Sequence, residues 1–268
     1  MCDTCGCNVT PGNAKFAYQP VVPGSTAVSV LQGLLKKNDD QAAHNRAHFD
    51  RRGILAINLM SAPGSGKTAL LEATIAALKG QFKIAVIEGD LETENDAERI
   101  RAQGVAAHQI VTGSACHLDA HMIHDALHHM DLADLDLLFI ENVGNLVCPA
   151  SFDLGQHLNI VLLSVTEGDD KPAKYPVMFR GADAVLLTKT DLLAVLDDFD
   201  PDKAERHIRN LANPAPILRL SARKGEGMMA WLVWLQGQLI EQRKRVEAGA
   251  TQRPASQPEG ARLHTETA

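Results

Sequence analysis

The chain carries no surplus of positive charge: 26 Lys and Arg stand against 33 Asp and Glu, a formal net charge of −7. A nucleic-acid-binding surface normally shows a basic footprint, so the balance argues against that class of partner. No apolar run approaches the ~20 residues that span a bilayer, which argues against a membrane protein. The segment Met1–Cys7 lacks a basic stretch followed by an apolar one, so no secretory leader is expected and the cytoplasm is the expected compartment. There is no internal repeat. Cysteine is scarce and odd in number, five residues in all. Without an export signal, stable disulfides are disfavoured relative to metal binding or redox chemistry.

What is present suits one substantial α/β domain with tails, or two small domains. Residues 1–27 are rich in Pro, Gly, Asn and Thr and read as a flexible arm with a cysteine cluster at its tip. Val28, Leu31, Leu34 and Leu35 recur at helical spacing and predict an amphipathic helix over residues 28–50. Residues 51–245 then alternate short apolar runs with helical segments. The runs Ile54–Met60, Ile84–Glu88, Leu135–Ile140, Ile160–Val165, Ala184–Thr188 and Ile217–Leu220 are continuously apolar, as in strands covered on both faces. Helices are predicted at Thr68–Lys79, Thr93–Gln103, Leu118–Met130, Pro201–Leu211 and Met228–Arg245. The expected fold is therefore a mostly parallel sheet flanked by helices. Residues 246–268 turn to Ala, Gly, Pro, Ser, Gln and Thr and read as a disordered tail.

The first strand runs into Ser61-Ala-Pro-Gly-Ser-Gly-Lys-Thr68 and a helix opening at Ala69. Glycines in such a P-loop let successive backbone N–H groups turn inward around phosphate oxygens, and the helix N-terminus adds positive potential. Gly64, Ser65, Gly66, Lys67, Thr68 and Ala69 form the expected cradle. Lys67 would reach the outer phosphates, and the Thr68 hydroxyl would ligate Mg²⁺. Ser61 replaces the usual first glycine.

Thr188-Lys-Thr-Asp191 resembles the guanine-reading signature of GTPases, with Asp191 accepting from N1 and N2 of the base and Lys189 lying along it. Adenine lacks that donor pair and would leave the carboxylate unpaired, which is how strong discrimination arises. Ser221-Ala-Arg223 resembles a second base-contacting loop, through Ser221 and Ala222. The order of these motifs points to GTP rather than ATP. Asp90 and Glu141 each end an apolar strand, where ligands of parallel sheets bind. Asp90 is read as the Mg²⁺-associated acid, and Glu141 as holding a Mg²⁺ water or orienting the attacking one.

Cys2-x-x-Cys5-Gly-Cys7 packs three thiolates beside the α-amine, a self-contained four-donor set suited to Ni(II), although thiolates also attract Cu(I) and Zn(II). Cys116 or Cys148 alone reads as a small buried hydrophobe. His117, His121, His124 and His128 recur at i, i+4, i+7 and i+11 and read as a solvent-facing stripe, alternatively as an auxiliary chelate.

Taken with Glu88-Gly-Asp-Leu-Glu-Thr93, Cys116-His-Leu-Asp119, the run Glu141–Gly155 and Thr166-Glu-Gly-Asp-Asp-Lys-Pro172, these motifs resemble the hydrogenase nickel-incorporation GTPases, the HypB family. The resemblance covers the cysteine-bearing tip and nearly all of Ile54–Arg245. It implies a P-loop NTPase that hydrolyses GTP slowly and delivers Ni(II) to the large-subunit precursor of a [NiFe] hydrogenase. It further implies a second metal site, for nickel or zinc, from Cys116, His117 and Cys148 at the interface of a GTP-promoted homodimer, with a HypA-type nickel/zinc accessory protein as partner. Residues 8–43 hold no histidine, so the histidine-rich stretch of some relatives is missing. Rival readings are a urease-type nickel GTPase, which would carry His where Ala150 stands, a metal-buffering protein with a regulatory nucleotide domain, and an ATP-dependent kinase or partition-type ATPase.

Overall fold

The computed structural model describes residues 26–90, 95–113 and 115–255; the cluster Cys2, Cys5 and Cys7 lies outside them. Its centre is the set of apolar runs: β1 (Leu55–Ser61), β2 (Ile84–Asp90), β4 (Leu137–Glu141), β5 (Leu158–Ser164) and β6 (Ala184–Thr188). Two shorter or less apolar strands, β3 (Ala106–Val111) and β7 (Ile217–Arg219), close the two edges. The order is β3-β2-β4-β1-β5-β6-β7 and every pairing is parallel.

Eight α-helices among the described residues connect and cover the strands: α1 (Thr26–Asp50), α2 (Lys67–Leu78), α3 (Asn95–Ala102), α4 (Ala120–Leu127), α5 (Lys171–Lys174), α6 (Pro176–Arg180), α7 (Pro201–Asn210) and α8 (Met228–Glu247). Successive strand residues point to opposite faces, so both faces need cover. On one face Leu55, Ile57 and Leu59 of β1 meet Leu70, Leu71 and Ile75 of α2 and Trp231, Leu235 and Leu239 of α8. On the other face Ala56, Ile87 and Ile140 meet Phe49 of α1 and Ile123 and Leu127 of α4. Thr74 accepts the buried Trp231 indole N–H at 2.9 Å, so the largest side chain in this layer leaves no orphan donor.

Polar contacts fix α1 across the sheet. Arg46, 2% exposed, donates to both oxygens of Asp153 at 2.7 and 2.8 Å. Asn45 donates to the carbonyls of Ala120 and Leu154, and Asn38 accepts the Ala120 N–H. Gly155 lets the loop approach this closely: its φ is +92°, and a Cβ there would stand 2.6 Å from that of Asn45.

The structure departs from the sequence reading at several places, the short helices α5 and α6 among them. Strand β3 is not predicted, because Ala-Ala-His-Gln-Ile-Val is an edge segment, only partly buried, and shows no apolar run. Helix α4 is shorter than Leu118–Met130, since the Asp119 side chain accepts the Met122 N–H at 2.9 Å and caps the helix there. Of the predicted tail 246–268, the described part to residue 255 is packed, with Gln252 buried and the Ala255 N–H held by Asp183 at 3.0 Å; residues 256–268 lie outside the described residues. None of the helices in the described residues is long and apolar enough to cross a membrane.

Candidate functional site

The loop after β1 turns through two left-handed glycines, Gly64 at φ +75° and Gly66 at φ +96°, a conformation costly to residues with a Cβ. Gly66 caps α2, so the first helical N–H groups point into the loop. Lys67 and Thr68 follow at the start of α2, and both are buried. Lys67 Nζ lies 3.2 Å from Ser61 Oγ and 3.9 Å from Glu141. Thr68 donates to Glu141 at 3.1 Å. Ser61, at the position of the missing first glycine, thus supplies an acceptor for the loop lysine.

A cavity of about 340 Å³ opens beside the loop, lined by Ser65, Gly66, Ala69, Lys189, Asp191, Ser221 and Ala222, together with Thr188, Leu192, Leu220 and Arg223. The strand ends bring these distant motifs together. Thr188, last in β6, donates to the Ser65 carbonyl at 2.7 Å, and the Thr190 N–H reaches the Leu220 carbonyl at 3.3 Å. Lys189 adopts φ +59°, and its Cε would lie 4.0 Å from a Cβ on Gly66, so the side chain passes across the phosphate loop. The walls are mainly apolar, with Asp191 as the acid on one side, as a flat base with a polar edge requires.

The acids converge differently from the sequence expectation. Glu88 and Glu141 are register partners on β2 and β4 and so share the α2 face of the sheet. With Asp96 of α3 their oxygens gather within 4.8 Å of one another. Asp90, read from sequence as the magnesium acid, is two residues further along β2, past the end of β4; its carbonyl accepts the Thr112 N–H. Burial, then the neighbouring Glu141, pushes the Glu88 carboxyl up to about 8. Burial pushes Glu141 up to about 7, with Lys67 and Thr68 opposing the shift. One oxygen of each has no hydrogen-bond partner among the described residues. Unpaired buried carboxylate oxygens beside a hydroxyl are the hard donors that Mg²⁺ takes, so the residues fit that ion.

Glu167, unremarked in the sequence beyond its place in the Thr166–Pro172 run, also faces the loop. It accepts from Ser65 Oγ at 2.6 Å and from the Ser164 N–H at 3.1 Å. Its second oxygen is buried without a partner among the described residues.

A softer donor set lies elsewhere. Cys116 Sγ is 3.0 Å from Cys148 Sγ and 3.7 Å from His117 Nδ1, and the three residues form a cluster able to hold an ion. Cys148 and His117 are buried. The His117 ring stacks on Phe152 at 3.9 Å, and burial lowers its pKa, leaving a neutral imidazole as metal ligation requires. His117 therefore leaves the solvent-facing stripe expected from its spacing: α4 begins only at Ala120, and the residues before it fold inward. Two thiolates and an imidazole suit Zn(II) or Ni(II).

The two sites are joined by two side-chain amides, Asn142 buried and Asn145 partly so. The Asn142 side chain accepts the Leu118 N–H at 3.2 Å and donates to Asn58 at 3.2 Å. Asn145 donates to the Cys116 carbonyl at 3.3 Å. Both amides lie in the segment that leads from Glu141 to Cys148.

A parallel sheet with a phosphate-cradling loop at the end of β1 defines a P-loop nucleotide-binding protein, here with a separate thiolate–imidazole centre. Residues 55–219 match the family described as CobW/HypB/UreG, nucleotide-binding domain. The chain belongs to the HypB family. It is 52% identical over 222 residues to the hydrogenase maturation factor HypB of Azotobacter vinelandii, covering 83% of this chain and 73% of that one. Against HypB of Escherichia coli (strain K12) it is 54% identical over 219 residues, 81% of this chain and 75% of the other. The crystal structure of HypB from Helicobacter pylori in complex with nickel superposes with a TM-score of 0.73 at 44% identity, over 76% of this chain and 96% of that one.

Proposed function

We propose that the protein is a slow GTPase and nickel metallochaperone of the cytoplasm, which delivers Ni(II) to the large-subunit precursor of a [NiFe] hydrogenase under GTP/GDP control. Its partners in this reading are that precursor, a HypA-type nickel/zinc accessory protein, and a second copy of the chain in a GTP-promoted homodimer. One observation carries the reading: a cluster of hard oxygen donors and a cluster of soft sulfur donors share the short segment from Glu141 to Cys148, and Asn142 bonds to the stretch after Cys116.

Gly64 to Ala69 would cradle the phosphates, and Asp191, Lys189, Ser221 and Ala222 would hold guanine. Thr68 and Glu141, with Glu88 and Asp96 nearby, would hold Mg²⁺, which supplies charge neutralisation at the phosphates when bound. Lys67 would offset charge on the transferred phosphoryl group. Asp90, on the same strand face as Glu88 but beyond the acid pair, is assigned to the attacking water. Nickel is cargo, held in turn by Cys2, Cys5 and Cys7 and by Cys116, His117 and Cys148; zinc competes for the second set. A shift of Glu141 with the outer phosphate would move Asn142 and then Cys148. Coupling of this kind requires different nickel affinity in the two nucleotide states, and it is reciprocal.

The test is nickel dissociation from protein loaded with GDP or a non-hydrolysable GTP analogue, in a Cys2/Cys5/Cys7→Ala variant. Release rates that differ at least several-fold between the nucleotides support the reading. Identical rates overturn nucleotide control and leave nickel handling to the N-terminal cysteines alone.

A further inference from the structure

The histidines that the nucleotide and cysteine sites leave unused come together. His124 and His128 stand one turn apart along α4 and its C-cap, with their Nε2 atoms 3.2 Å apart. Two neutral imidazoles can share that contact only if one ring donates and the other accepts. A metal ion, taking a lone pair from each, is the alternative occupant of such an i, i+4 pair. Helix α1, docked against α4 by Asn38 and Asn45, brings two more. His44 lies with its ring centroid 5.2 Å from that of His124 and 4.7 Å from that of His48. Four imidazoles thus form a continuous row across two helices.

A cavity of about 380 Å³ lies beside the row, faced by His48, His124, His128 and Asp131, with Arg52 at its edge. The nitrogens already engaged on α1 are both Nδ1: Gln41 meets His44 at 3.4 Å and Arg52 meets His48 at 3.3 Å. Nε2 is the ring nitrogen that these contacts leave, and of the two rings His48 lines the cavity. Partial burial lowers the pKa of His48, assisted by Arg51, and of His124, assisted by His128. Both rings are accordingly shifted toward the neutral form that ligates a metal. Arg52 opposes a cation here, and Asp131 offsets it.

We propose that His124 and His128, completed by His48 or His44 after a side-chain rotation, form a third metal site, for a borderline divalent ion such as Ni(II). Imidazole suits nickel, zinc and copper alike. Open to solvent and without thiolate, the site should bind more weakly and exchange faster than the cysteine centre. His124 lies seven residues along the chain from His117, on the helix that begins at Ala120, just after that ligand. The role that follows is a loading port for the Cys116/His117/Cys148 centre, which rests on the nickel reading above; the existence of the site does not.

The experiment is equilibrium dialysis of the full chain against NiSO₄ at pH 7.5, for the wild type, a His124→Gln/His128→Gln variant and a Cys116→Ala/Cys148→Ala variant. GDP binding checks that each is folded. The expected result is one nickel equivalent, of micromolar to tens-of-micromolar affinity and without a thiolate charge-transfer band, that is absent from the histidine variant and retained by the cysteine variant. His48→Gln or His44→Gln, whichever ring completes the site, should weaken it at least tenfold. Equal stoichiometry in the wild type and a folded histidine variant overturns the proposal. Failure of the nickel reading looks different: the cysteine variant would then bind as much nickel as the wild type.

Discussion

Asn142 accepts the Leu118 N–H at 3.2 Å and so ties the residue after Glu141, which contacts the phosphate-loop threonine, to the residue after His117, in the cysteine centre. Its side chain also donates to Asn58 on β1, so both halves of the amide are used in the interior. Replacement by Ala removes these bonds and leaves buried partners unsatisfied, at about 1–3 kcal/mol of stability. The difference in nickel release between GDP and a non-hydrolysable GTP analogue should shrink toward nothing in Asn142→Ala, with GDP affinity itself little changed. Stopped-flow chelation measures it.

Asp191→Ala should lower GDP and GTP affinity about 100-fold, the loss of two hydrogen bonds to a charged acceptor. Weak ATP binding should stay where it was. Competition against a fluorescent guanine nucleotide separates the two, and an equal loss for both bases would place the base elsewhere.

Glu88 and Glu141 face each other across β2 and β4 with carboxyls raised by burial. Glu141→Gln removes one of two mutually repelling groups, so the ligand-free protein should melt a few degrees higher, as a gain of ~1 kcal/mol would give. The additional stabilisation by Mg²⁺ and GDP should fall, and single-turnover GTP hydrolysis should slow on the order of 100-fold. Thermal unfolding with and without Mg²⁺ tests the opposing signs.

Burial raises the Asp183 carboxyl from 3.8 to about 6, although it accepts the N–H groups of Asn159 and Ala255. A raised folded-state value means the native protein holds the proton more tightly than the unfolded chain. The contribution is full below about 4 and is lost as pH rises through about 6, on the order of 2–3 kcal/mol. Urea unfolding of Asp183→Asn should lack this part of the decline between pH 4.5 and 6.5.

Gly155→Ala must place a Cβ 2.6 Å from that of Asn45 at φ +92°. Loss of about 3 kcal/mol or more, with α1 loosened from α4, is the expected outcome. Hydrogen exchange along residues 38–50 reports the loosening directly.

The phosphate loop and the central strands were legible in the sequence because each depends on local chemistry: glycine spacing, a strand before and a helix after, and unbroken apolarity. Strand β3 was not, since an edge strand needs no apolar run. The clustering of Glu88 with Glu141 was also hidden, because nothing local says that β2 lies beside β4. Asp90, two residues on, looks the same as Glu88 in sequence and differs only in reaching past the end of the neighbouring strand. The spacing of His117 with His121, His124 and His128 suggested one helical face. The Asp119 cap instead starts the helix late, which sends His117 inward to Phe152 and Cys148 and leaves the others outside. Sequence by itself determined that this chain binds a nucleotide on a parallel sheet, because those signals are written within a few residues. Tertiary structure alone decided which acids meet and which histidines of α1 and α4 become neighbours, since each is a contact between segments distant along the chain.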